Sequence, residues 1–100
     1  MTKGYWIARL DVTDQDKYDT YRVLNAAAFK KYGARFLVRG GEFEVREGTG
    51  RSRNVVIEFP SLQAARECYD SQEYNVAKAA RENAADIDVV IVEGYDGPQP

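Results

Sequence analysis

Apolar and polar positions alternate most cleanly at residues 54–61. Val55, Ile57 and Phe59 alternate with Asn54, Val56 and Glu58. A period of two belongs to a strand with one face in a core and the other outside it. Pro60 cannot donate a ladder hydrogen bond and suits the end of such a strand. Ser61 carries the hydroxyl that caps a helix start. About fifty residues upstream the pattern recurs, a spacing that suggests an internal repeat. Trp6, Ala8 and Leu10 stand there where Val55, Ile57 and Phe59 stand, and Arg9 stands where Glu58 does.

After the first strand the period changes to 3.6. Tyr18, Tyr21, Asn25, Ala28, Phe29 and Tyr32 share one face of a predicted helix. The helix starts at the capping spacing Thr13-x-x-Asp16 and stops at Gly33. A strand is predicted at 34–39, with Phe36 and Val38 toward the helices and Arg35, Leu37 and Arg39 away from them. Gly40-Gly41 marks a turn. Residues 42–47 alternate as a further strand, and Gly48-Thr49-Gly50 loops back to the central strand. Ser61 opens a second helix, with Leu62, Ala65 and Tyr69 toward the sheet. Asp70 followed by Glu73 reads as another helix start, which predicts a break near Asp70 and Ser71 before an alanine-rich segment at 73–83. The last strand, 87–92 with Glu93 and Gly94 at its end, is apolar on both faces. The order is strand-helix-strand twice, the split βαβ arrangement. This predicts an α+β, ferredoxin-like βαββαβ sandwich, an antiparallel sheet with two helices on one face. One such domain is expected over 1–95, with a flexible tail at 96–100.

Such a sheet leaves its other face open. Alternation assigns Leu37, Val56, Val89 and Ile91 to that face, an apolar patch unusual for a monomer. The simplest cover is a second copy across a two-fold axis, so a homodimer is expected. Arg9, Arg39, Glu58 and Glu93 would then lie inside or at the rim of the joined sheets, where each charge needs a partner.

Composition narrows the function. The 100 residues are 44% hydrophobic and 30% charged, typical of a globular chain. Lys and Arg number 14 against 16 Asp and Glu, a net charge of -2, which gives no electrostatic case for nucleic acid or an anionic membrane. No apolar run approaches the ~20 residues of a membrane helix, and no signal peptide is expected. Cys68 is the only cysteine, which fits a reducing, cytoplasmic location. Histidine is absent; that removes imidazole acid/base chemistry, and no metal or cofactor is expected.

Four stretches carry a family resemblance: Lys3-Gly4-Tyr5-Trp6-Ile7, the run from Tyr32 to Gly41, the run from Val55 to Ser61, and Tyr69-Asp70-Ser71-Gln72-Glu73-Tyr74. Together they resemble a small bacterial family known as domain of unknown function 1330 (DUF1330). Gln72 departs from it, since the family often has proline there, and this bears on the kink. The resemblance implies a ferredoxin-like chain of the dimeric α/β-barrel group. Similar barrels include cofactor-free monooxygenases, lactone isomerases and haem-handling proteins, so the fold by itself names no reaction.

The residues suggest four candidate groups. Arg39 could fork onto a substrate carboxylate, and a desolvated Glu58 could act as general base; the bland alternative is an ion pair that fixes register across a dimer. Asn25, Tyr21 and Tyr74 could line a ligand pocket between the first helix and the sheet, or be ordinary core. Cys68 lies late in a helical segment and reads as packing rather than as a nucleophile. Arg51 and Arg53 beside a glycine loop could touch phosphate, but they lack the strand-to-helix context of a phosphate loop. The expected function is binding of a small organic molecule in a cleft between sheet and helices. The alternatives are a cofactor-independent enzyme using Glu58 and Arg39, and a structural or regulatory dimer without a site.

Overall fold

The structure is a computed structural model and describes residues 2–100. Its elements are β1 (Gly4–Val12), α1 (Gln15–Lys31), β2 (Arg35–Arg39), β3 (Arg53–Phe59), α2 (Leu62–Asp70), α3 (Gln72–Ala80) and β4 (Ala85–Glu93). Among the described residues the strands form one antiparallel sheet in the order β2-β3-β1-β4. The helices cover one face, so the expected α+β ferredoxin-like sandwich is the fold found. None of the described helices is long and apolar enough to cross a membrane.

The core forms where the alternating strand faces meet the helical stripe. Trp6 is at its centre, against Phe29, Phe59, Tyr69 and Tyr74. Its indole Nε1 donates to the Ala65 carbonyl at 2.9 Å, which satisfies the one polar atom the ring takes into the core. Tyr18, Tyr21, Asn25, Ala28 and Phe29 are the buried face of α1, as the 3.6 period predicts.

The helix ends follow from local chemistry. Asp14, rather than Thr13, caps α1, accepting from the Lys17 amide at 3.2 Å. Gly33 takes φ 70° just beyond the helix, a conformation that costs glycine nothing. Ser61 caps α2. The break falls at Ser71, where one hydroxyl serves two helices: it donates to the Cys68 carbonyl at 2.7 Å and accepts from the Tyr74 amide at 3.1 Å. Gln72 is then the first residue of α3, a position that tolerates proline because its amide is free in any case. α3 stops earlier than predicted: Arg81 ends it, and Asn83 at φ 61° turns the chain into β4.

Three sequence expectations are corrected. First, residues 42–47 are not a strand. They belong to an unpaired arm between β2 and β3, with Phe43 and Val45 exposed. Second, Val89 and Ile91 face the helices, because β4 pairs with β1 through Ala8↔Val89 and Trp6↔Ile91. Val90 and Val92 take their place on the open face. A strand apolar on both sides carries no parity signal, so only its pairing sets which side faces in. Third, β2 is bulged between Phe36 and Val38, and a one-residue shift turns the following side chains to the opposite face. Val38, opposite Val56, therefore faces outward. Arg39, opposite Val55, faces the helices.

Candidate functional site

A cleft opens between α1 and the sheet, on the side of β2. Each wall follows from an element's period. Tyr18, Arg22, Asn25 and Phe29 descend α1 three or four residues apart. The floor is β1, β3 and β4, where Ala8 leaves room that a larger residue would fill. Phe36, Arg39 and Arg53 form the β2–β3 side. The cavity holds about 30 Å³ of free space, enough for one or two waters in this closed arrangement.

The mouth is made of guanidinium groups. The bulge delivers Arg39, whose guanidinium lies 4.1 Å from the Phe36 ring centroid. Arg53 occupies the inward parity of β3 with Val55 and Ile57, and its guanidinium is 5.7 Å from the Tyr18 ring centroid. Gly40 permits that position: at φ 72° it lies so close to the Arg53 guanidinium that a Cβ would collide with it. Arg53 Nε is buried and meets no protein acceptor. Among the described residues, neither Arg39 nor Arg53 makes an ion pair. No Asp or Glu among the described residues lines the cleft.

At the inner end the Tyr21 and Tyr74 hydroxyls are 2.8 Å apart, and Arg81 donates to Tyr74 at 3.3 Å. The Arg81 guanidinium is also 5.1 Å from the Tyr21 ring centroid. Burial first, and the neighbouring Tyr74 next, hold the Tyr21 phenol well above its ordinary pKa, although Arg81 and Asn25 pull the other way. It stays neutral. Two hydroxyls that share one bond use one of their two protons, and a guanidinium only donates. One phenolic proton is thus not used within the pair. Asn25, 4% exposed, brings an amide to the same place.

The structure thus places Asn25, Tyr21, Tyr74 and Arg39 around one cleft and leaves Glu58 out. Glu58 faces the open side of the sheet, where it accepts from the Tyr5 hydroxyl at 3.2 Å and stands opposite Arg35 in register. The Arg39–Glu58 pair expected from alternation is not formed, because the bulge puts the two on opposite faces. Glu93 is likewise away from the joined-sheet position expected for it: it pairs opposite Gly4 and accepts from the Thr2 hydroxyl. Arg51 and Arg53 part company. Arg53 enters the cleft, while Arg51 bridges Asp88 at 2.8 Å and Asp11 at 3.2 Å. Cys68 is buried, and burial pushes its thiol up to about 12.

Sequence reasoning missed Arg53 and Arg81 as partners in this site. Both left a signal. Arg53 is a charge at the apolar parity of β3, and Arg81 continues the Tyr74, Ala77 spacing of α3.

Residues 3–95 match the model of the domain of unknown function DUF1330. The chain belongs to that family. No curated protein matches this DUF1330 chain. Among solved structures it is similar to a protein of unknown function from Rhodopseudomonas palustris, at 15% identity and TM-score 0.76 over 96% of this chain and 85% of that one. It is also similar to SnoaB, a cofactor-independent oxygenase from Streptomyces nogalater, at 13% identity and TM-score 0.60 over 100% and 97%. A third, from Bacteroides fragilis, is described as a dimeric protein of unknown function with a ferredoxin-like fold; it shares 13% identity at TM-score 0.55 over 91% and 95%. At such identities the likeness is one of fold.

Proposed function

We propose that this DUF1330 chain is a homodimer that binds a small organic molecule in the cleft between α1 and the sheet. One observation carries the reading: a buried amide, Asn25, and two buried phenols, Tyr21 and Tyr74, meet at the end of an apolar cleft whose mouth holds Arg39. Apolar walls with a few convergent polar groups are the usual make-up of a ligand site. The free volume is small, and the mouth is made of long arginine side chains whose rotation would widen it. Dimerisation is supported by the open face, where Ile7 (40%), Val38 (41%), Val90 (55%) and Val92 (40%) are exposed on one side of the sheet. A cytoplasmic location fits the lone, buried thiol of Cys68.

Mass spectrometry of the native dimer, before and after denaturation, tests the reading. A released small molecule, lost when Asn25 is changed to Leu, is the expected result. An empty dimer that Asn25→Leu leaves unaltered would favour a structural or regulatory dimer without a site.

A second reading is a cofactor-independent enzyme. The spare phenolic proton at Tyr21–Tyr74, backed by Arg81, favours it, since such a donor could stabilise negative charge developing on a carbonyl oxygen. Glu58 with Arg39 no longer supports it within one chain, because the sheet separates them. Turnover lost in Tyr74→Phe and kept in Glu58→Gln would select this reading.

A further inference from the structure

We infer that the molecule taken up by this cleft is a small organic anion, a carboxylate on a flat apolar body, and that Arg39 and Arg53 together hold its carboxylate. The inference rests on the cleft being a binding site, as proposed above, and adds the chemical class of what it binds.

Charge is the first support. The chain carries a net charge of -2, yet every charged residue lining the cleft is an arginine: Arg22, Arg39 and Arg53. Like charges gathered beside an apolar surface repel one another, and the repulsion is strongest where water is excluded. Arg51, outside the cleft, is answered by two of the chain's own carboxylates, Asp11 and Asp88. Here it supplies rings instead. A Phe36 ring beneath Arg39 and the Tyr18 ring near Arg53 hold the guanidinium planes and leave their N–H edges unspent. Arg22 alone has an acid within reach, Asp19 at 3.9 Å on the same helix.

Geometry is the second support. The Arg53 Nε is buried without a protein acceptor, and a buried donor without a partner calls for an explanation. A carboxylate accepting from Nε and a terminal nitrogen in a two-pronged fork would supply one. Two independent features bring the pair to the mouth. The β2 bulge turns Arg39 inward, and Gly40, lacking a Cβ, gives Arg53 its place. Behind them the cleft is apolar as far as Asn25 and the phenol pair. With the mouth widened by rotation of the arginine side chains, that order, anion at the mouth and ring inside, selects a carboxylate on a flat body over a bare inorganic anion.

Titration of the native protein with benzoate, benzamide and inorganic phosphate tests this, with NMR of the arginine Nε–H signals and of the tyrosine and phenylalanine rings. Benzoate is expected to move the Arg39 and Arg53 signals together with those of Phe36 and Tyr18, and benzamide to need a concentration about tenfold higher or more. Arg39→Gln and Arg53→Gln should each weaken benzoate by about tenfold, with melting curves showing both variants folded. Arg53→Lys should restore only part of the loss, because an ammonium group has no fork; this variant also keeps the test alive should Arg53→Gln fold poorly. Equal binding of benzoate and benzamide at the rings overturns the anion and leaves the cleft as a binding site. Phosphate moving the arginines while benzoate leaves the rings still overturns the organic class. No shift with any of the three overturns this inference; the reading of the cleft itself falls only when nothing co-purifies with the native dimer.

Discussion

The open face of the sheet mixes acids with arginines, while the cleft side carries arginines alone. On the open face acids are answered from within the chain. Asp11 accepts from the Ser52 amide and hydroxyl, both at 2.8 Å, and from Arg51; Asp88 holds Arg51 from the next strand; Glu58 accepts from Tyr5. On the helix side Arg39 and Arg53 lie on rings and have no carboxylate. Paired charges on a sheet fix register and strand ends. Unpaired charges at the mouth of an apolar cleft are available to something else. In the proposed function, assembly uses the first face and ligand chemistry the second.

The largest expected effect breaks the assembly face. Val90→Asp puts a carboxylate in the middle of the open apolar patch, and burying it unpaired between two sheets would cost several kcal/mol. Sedimentation should show a monomer, with the far-ultraviolet circular dichroism of the parent retained. A folded dimer would show that the two copies do not meet on this face.

Tyr74→Phe comes next and strikes the cleft side. It strips Tyr21 and Arg81 of a buried partner, a loss of about 1–3 kcal/mol, read as a lower midpoint in urea. Dimer dissociation should not change. Asn25→Leu should do the reverse of a core lesion. If Asn25 is kept for a ligand, leucine holds or raises the melting temperature while binding disappears. A loss of more than about 1 kcal/mol would instead mark Asn25 as a structural amide.

The smallest effect sharpens the open-face side. The Ser52 hydrogen bonds, and less strongly Arg51, hold the Asp11 carboxyl below its ordinary 3.8. A folded pKa below the unfolded one gives stability that is present above the unfolded value and lost as pH falls through the folded one. The urea midpoint should therefore fall as acid is added from about pH 5 downward, and Asp11→Asn should flatten that slope. Lys31, raised chiefly by its bond to Glu73 at 2.8 Å, acts at the other end of the scale: its share is present below the unfolded pKa and fades as pH rises through the folded value.

The period of two at Trp6, Ala8 and Leu10 and at Val55, Ile57 and Phe59, and the period of 3.6 along α1, determined the layers, because burial rewards a pattern that each residue expresses locally. Gly33, Ser61 and the break by Ser71 were legible for the same reason: a cap or a left-handed turn needs particular atoms within a few residues. Asn25 and Tyr21 could be placed on the inward face of the first helix from the period alone, and Tyr74 stood out as a candidate pocket ring. What tertiary structure alone decided was parity and pairing. β4 is apolar on both sides, so only hydrogen bonding to β1 set which half of it looks inward. The alternation at 42–47 was as good as any, but found no neighbouring strand to bond. The bulge at β2 is a single extra residue between partners far apart in sequence, and it turned Arg39 from the side of Glu58 to the side of Arg53. A local pattern states what a face prefers; which residues finally share that face depends on contacts made at long range.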